Sequence, residues 1–244
     1  MPHIEIAAEK IWLLGGFPIT NTLIMSVAVT LFLVFVSRVL FKNLTLVPAP
    51  IQNIFEYIIE KFLDAMQGMF GSREKAEKYF PFIATIFLFI LLSNWFGILP
   101  GIGSVGFFEK DHGEVLFVPL FRSAASDLNF TLTLGIIAVL FVNVMGASAI
   151  GIRKHIGKFF NFRSPIGFFL GILEFISELA KVISFSFRLF GNVFAGEVLL
   201  VITAFLVPYF IPVPFLALEL FVGFIQALVF SMLTMVFISI AVQH

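Results

Sequence analysis

PIGFFLGILEFISELAKVISFSFRLFGNVFAGEVLLVITAFLV, residues 165–207, is a long and mainly apolar stretch with no proline after its first residue. At 1.5 Å per residue, about 40 helical residues reach about 60 Å. The hydrocarbon core of a bilayer is about 30 Å thick. The stretch is therefore predicted as one helix that crosses a membrane steeply tilted, or that breaks at Gly191 or Gly196. VPYFIPVP, residues 207–214, follows it. Pro208 ends the first helix, and Pro212 and Pro214 lead into a second long apolar helix from about Pro214 to His244. The last third of the chain is thus expected to form a tilted helical hairpin.

Composition extends this reading to the whole chain. The 244 residues are 60% hydrophobic and 12% charged, with a mean hydropathy of +1.08. A soluble domain is roughly 45–50% apolar and about 25% charged. Lipid is the solvent that accommodates the excess, and the 35 phenylalanines need no polar partner there. The net charge of zero implies no general attraction to nucleic acid. The absence of cysteine excludes disulfides and thiolate metal sites. No Gly-rich phosphate loop, HExxH or G-x-S-x-G is present, and no cofactor or metal is expected. Glu5 and Glu9 precede the first apolar run with only Lys10 to oppose them, unlike the basic start of a secretory signal peptide.

Three further spans meet the requirement of about 20 apolar residues. They run from Pro18 to Phe41, from Tyr79 to Leu99, and from Asp127 to about Ile152. Between the first two lies PAPIQNIFEYIIEKFLDAMQGMFG, residues 48–71. Its Ile51, Ile54, Phe55, Ile58, Ile59, Phe62 and Met66 follow helical spacing, while Glu56, Glu60, Lys61 and Asp64 share the same turns. It reads as an amphipathic helix on the membrane surface. A polar loop with Glu109, Lys110, Asp111, His112 and Glu114 follows the second of these spans. The predicted fold is an all-α polytopic membrane protein, with about five membrane helices and one surface helix. No internal repeat or linker is visible, so residues 1–244 are read as one membrane domain.

Basic residues set the expected orientation. Arg38, Lys42, Lys61, Arg73, Lys75, Lys78, Arg153, Lys154, Lys158 and Arg163 fall on one side, and Lys10, Lys110 and Arg122 on the other. The larger group belongs in the cytoplasm. The N-terminus is then outside and the C-terminus inside.

Charges remote from helix ends mark function, because ionisable groups in a span are costly and usually line an interior or an aqueous cavity. The long helix holds Glu174, Glu178, Lys181, Arg188 and Glu197, and the last holds Glu219 and Gln226. Glu174, Glu178 and Lys181 also fit a local ion-paired stripe. Glu219, five residues after Pro214, also fits an interfacial position. Arg188 is harder to dismiss, since an arginine cannot lose its proton and needs a carboxylate or water nearby. Ser184, Arg188 and Asn192 are four apart and share a face, whereas Glu197 falls about half a turn away. Arg188 is therefore expected to pair with another helix or another protein. Gly191, Ala195 and Gly196 let a helix approach closely, either from this bundle or from outside. A self-contained channel or secondary transporter would pair its charges internally and often shows inverted repeats. A non-transporting assembly subunit would leave Arg188 without a purpose.

RLFGNVFAGE, residues 188–197, closely resembles the signature of subunit a of the F-type ATP synthase. SNWFGILPG (93–101) resembles that family's N-x-x-G-L-I-P-G, and FRSAASDLNFTLTLG (121–135) its R-S-P-T-A-D-L-N-T-T-L segment. FIQALVFSMLTMVFIS (224–239) resembles its last helix, with Gln226 at the glutamine position. Ala124, Ala125 and Ser126 depart from the usual Pro-Thr-Ala, and Glu219 stands where some members carry His. The resemblance implies a stator subunit that is not catalytic on its own. It implies passage of protons to a rotating ring of c subunits through two half-channels separated by Arg188. Asn192, Glu197, Glu219 and Gln226 are then expected in the outer path, with Glu197 and Glu219 as a carboxylate pair. Glu174, Ser177, Glu178 and Ser184 are expected in the inner path. Asp127 and Asn129 line the outer entrance or cap a helix. Implied partners are the c-ring, the b subunits, the rest of the complex and membrane lipid, in a bacterial inner membrane. Choice between H+ and Na+ is expected to rest mainly in the c subunit.

Overall fold

A computed structural model describes residues 8–15, 17–42, 50–99, 101–102, 105–111, 114–159 and 164–243. Glu5, residues 48–49, Pro100, His112, Arg163 and His244 lie outside the described residues. The helices are α1 (Asn21–Phe41), α2 (Pro50–Phe70), α3 (Arg73–Ile98), α4 (Leu128–Ile150), α5 (Ile152–Phe159), α6 (Pro165–Leu206) and α7 (Pro212–Gln243). Five of them, α1, α3, α4, α6 and α7, are long and apolar enough to cross a membrane. The amphipathic α2 is not among these.

Helix starts are set by short polar side chains that accept orphan backbone N–H groups. Thr20 caps α1, Ser72 caps α3 and Asp127 caps α4. Ser164 caps α6, with Pro165 in the first helical position. Ser72 lets α3 begin at Arg73, six residues before the expected Tyr79. The third apolar span ends at Ile150, not Ile152, because Gly151 turns the chain at φ +94°. The basic residues after it form the separate helix α5.

α6 is helical through both Gly191 and Gly196, so of the two expected alternatives the break is excluded and the continuous helix stands. An unbroken helix of 42 residues is about 63 Å long, roughly twice the hydrocarbon thickness. Two features were not expected. β1 (Lys10–Leu14) and β2 (Phe17–Thr20) form an antiparallel hairpin before α1. β3 (Gly106–Asp111) and β4 (Glu114–Pro119) form another in the segment read as a polar loop.

Packing inside lipid depends on close fit, not on hydrophobic exclusion. At the centre of the bundle Ile90 of α3, Ala138 of α4, Leu189 of α6 and Phe230 of α7 are fully enclosed. Gly135 lets α4 approach α6 so closely that an added Cβ would sit 3.0 Å from the Val182 carbonyl oxygen. A second cluster joins α2 to the bundle through Leu63, Met66 and Phe70. Arg73 clamps that corner, with bonds to Glu60 at 2.8 Å, Asp64 at 3.3 Å and Glu77 at 3.0 Å. The hydrogen bond from Arg73, helped by its charge, holds the Glu60 carboxyl below the usual glutamate range. Large apolar side chains such as Leu31 and Phe35 of α1 and Phe169 and Phe205 of α6 face outward.

Candidate ion-translocation site

α6 buries one face, with Phe185, Ser186, Leu189 and Val193, against α4 and α7. On another face Ser177, Ala180, Ser184, Gly191 and Ala195 are exposed, at helical spacing around Arg188. A Cβ on Gly191 would meet nothing within 4 Å. Arg188 Nη2 donates to Ser184 Oγ at 3.1 Å. Among the described residues no carboxylate lies within ion-pair distance of Arg188. A groove of about 310 Å³ between α6 and α7 carries Ser177, Lys181, Ser184 and Arg188 on its α6 wall, with Leu233 and Phe237 opposite. The small-residue strip divides: Gly191 and Ala195 stay uncovered, while Gly196 faces α7.

Beyond Arg188, toward the C-terminal end of α6, Asn192 Nδ2 donates to Gln226 Oε1 at 2.5 Å. Gln226 is buried, and its Nε2 finds no partner among the described residues. Ser93 Oγ and Asn94 Oδ1 of α3 are likewise buried without partners among the described residues. Asn94 Nδ2 donates to the Gly223 carbonyl at 3.1 Å, and Gly223 is glycine because a Cβ would crowd Asn94. Such unspent hydrogen-bonding capacity is unusual in a packed seam. Glu197 lies about 13 Å along the axis from Arg188. It accepts from Arg122 Nε at 2.9 and 3.2 Å, with Arg122 only 8% exposed and Glu197 32%. Glu219 sits over Gly196, where any Cβ would run into its carboxylate. Glu197 is near enough to act on it electrostatically. The structure therefore gathers Asn192 with Gln226, and Glu197 with Glu219 and Arg122. Glu219 faces a neighbouring helix's backbone as well as lying near a helix start.

Asp127 accepts from Asn129 N at 2.9 Å as the α4 cap, and also from Thr22 Oγ1 of α1 at 3.0 Å. Asn129 is exposed in the first turn of α4.

On the other side of Arg188, about 15 Å back along α6, Glu178 Oε1 pairs with Lys181 Nζ at 2.5 Å. This is the local ion pair that spacing allowed. Asn143 of α4 adds a bond from Nδ2 to Glu178 Oε2 at 3.0 Å, and His155 Nε2 lies 3.0 Å from Asn143 Oδ1. Glu174 and Ser177 are exposed on α6. Of the residues expected in the inner path, Ser177 and Ser184 share the groove with Arg188, whereas Glu174 and Glu178 are not in its walls.

Three participants escaped the sequence reading: Arg122, Asn143 and His155. Asn143 had a signal, as a lone amide within the apolar run 128–150. Arg122 and His155 had none from spacing, since tertiary register alone brings them to Glu197 and Asn143.

These features define an integral, multi-pass helical membrane protein with polar clusters on both sides of a mid-helix arginine. The family profile described as ATP synthase A chain matches residues 21–239. ATP synthase subunit a of Campylobacter fetus subsp. fetus (strain 82-40) is 31% identical over 222 residues, covering 91% of this chain and 90% of that protein. ATP synthase subunit a of Campylobacter jejuni subsp. jejuni serotype O:23/36 (strain 81-176) is 33% identical over 214 residues, covering 86% and 85%. The chain belongs to the ATP synthase A chain family.

Proposed function

We propose that this chain is the ion-translocating stator subunit of an ATP synthase membrane sector. It passes protons to and from a rotating ring of c subunits through two half-channels that Arg188 separates. The observation that carries this reading is Arg188 itself. It is a permanent cation near the middle of α6, bonded to Ser184 and otherwise facing an uncovered strip of small residues. A fixed charge at membrane depth requires an anion or water. A carboxylate arriving on a partner helix supplies the anion.

The physics then orders the cycle. A ring carboxylate faces lipid only when neutral, because a bare charge in hydrocarbon is costly. Beside Arg188 the anion is favoured, since an opposite charge within a few ångströms lowers a carboxyl pKa. Each carboxylate gives up its proton on reaching Arg188 and takes another after passing it. Arg188 also repels a proton that would run straight between the paths. The driving force is about 2.3 kcal/mol per charge per 100 mV. Asn192, Gln226, Glu197 and Glu219 supply the outer path, with Arg122 holding Glu197. Ser177, Ser184 and the Glu178–Lys181 pair supply the inner one. The basic bias puts α5 in the cytoplasm of a bacterial cell and the N-terminus outside.

The test is Arg188→Ala in the assembled complex, with ATP-driven proton pumping measured in inverted membrane vesicles. Expected is loss of pumping with the complex still assembled. Preserved pumping sinks the assignment.

A further inference from the structure

Away from Arg188, the Glu178–Lys181 pair of the inner path on α6 joins a half-buried polar array with His155 on α5 and Asn143 on α4. Its hydrogen bonds have a single consistent direction. Asn143 Nδ2 has two protons and two acceptors, the Val139 carbonyl at 2.9 Å and Glu178 Oε2 at 3.0 Å. A flipped amide would set oxygen against both of those oxygens. Asn143 Oδ1 is therefore an acceptor, and His155 Nε2 must carry the hydrogen that it donates across 3.0 Å. The other ring nitrogen, Nδ1, is buried without a partner among the described residues. A proton there would be a buried donor with nothing to bind, which is costly. The ring is thus held neutral, as the single tautomer that can donate to Asn143.

The slot is shaped for this ring. A Cβ on Gly146 of α4 would meet His155 Cε1 at 3.2 Å and the Ala241 Cβ of α7 at 3.2 Å. The Phe159 ring closes one side, with ring centres 5.7 Å apart. The charged groups around the imidazole are Lys158 on α5 and Glu174 and Glu178 on α6. Lys181 lies one link further, on Glu178. α4 offers no charged side chain, and Ala241 is the α7 neighbour.

Lys181 belongs to two structures at once. It pairs with Glu178, and it lines the groove that reaches Arg188 through Ser177 and Ser184. Whatever fixes Glu178 therefore fixes the mouth of that groove. We infer that His155 is a positioning residue for the inner proton path: through the Asn143 amide it sets Glu178 and Lys181 at the cytoplasmic mouth of the groove leading to Arg188. The inference rests on the stator reading and extends it to a helix outside the membrane.

The experiment uses the complete ATP synthase in inverted vesicles, whose outer face is the cytoplasmic one, so external pH titrates that mouth and not the outer path, and ATP hydrolysis recorded in parallel corrects for the soluble sector. ATP-driven pumping is recorded against external pH for wild type, His155→Ala, His155→Gln, Asn143→Leu and Arg188→Ala. Expected for His155→Ala is a pumping rate reduced about threefold or more, the effect of losing roughly one hydrogen bond. The external pH of half-maximal pumping is expected to move, with the subunit content of the complex unchanged. Glutamine presents an N–H near the place of Nε2–H, so His155→Gln restores the wild-type rate at an external pH where His155 is neutral. Asn143→Leu reproduces the alanine defect with His155 in place, and decides the matter if His155→Ala does not assemble. An unchanged profile in Asn143→Leu, or a glutamine variant as defective as alanine, overturns the role of His155. If Arg188→Ala still pumps, the stator reading falls instead, whatever the His155 variants do.

Discussion

At the scale of single residues, the two basic side chains near the centre of the bundle have opposite fates. Arg122 is enclosed and spends its charge on Glu197, whereas Arg188 bonds to a neutral hydroxyl and keeps its charge available. Removing one member of a buried ion pair strands the other, while replacing both with apolar groups is often neutral. Arg122→Leu is therefore expected to lower the thermal stability of the purified complex by several degrees. Arg122→Leu with Glu197→Leu recovers most of that loss but not pumping, because the outer path then has lost one of its two carboxylates. Heating in detergent, followed by subunit dissociation, separates the two effects. Recovery of both stability and pumping in the double variant would remove Glu197 from the path. The residues on one helix were legible from spacing: Arg188, Ser184 and Asn192 share a face by arithmetic alone. The pairing of Glu197 was not, because its partner comes from a loop 75 residues earlier, and no period in the sequence encodes that register.

At the scale of elements, long apolar runs betrayed the spans, and the prolines of VPYFIPVP betrayed the hairpin of α6 and α7. The two β-hairpins stayed hidden because each strand is only four to six residues long. Gly15-Gly16 between KIWLL and FPIT was the available turn signal for the first. α5 was legible only as a basic stretch, since eight residues are too few to show a period against their charges. Its docking is expected to respond to pH through His155. Burial, reinforced by Lys158 and opposed by Glu178 and Glu174, holds the imidazole below its ordinary value of 6.5. The undocked ring then binds a proton more readily than the docked one, so docking strengthens as pH rises. It weakens as pH falls through 6.5 toward the depressed value. Amide exchange over residues 152–159, corrected for intrinsic rates, should quicken on lowering the pH from about 7.5 to about 5.5 in wild type. It should stay level in His155→Gln. Equal responses in both would show that another group controls α5.

At the scale of the whole molecule, the bundle leaves one face of α6 uncovered. α4 and α7 pack against one side of α6, while the strip through Ser184, Arg188, Gly191 and Ala195 remains open. The central claim is that this strip is where the rotating ring passes. Because the chain contains no cysteine, a single introduced thiol reports cleanly on its own neighbourhood. The decisive measurement is oxidative cross-linking in the assembled complex, with one cysteine beside the c-subunit carboxylate and one on α6. Expected is a disulfide-linked product from Ala195→Cys on the strip, and none from Val201→Cys, about a third of a turn around the same helix. A product from Val201→Cys with none from Ala195→Cys would turn the ring to another face and contradict the role assigned to Arg188.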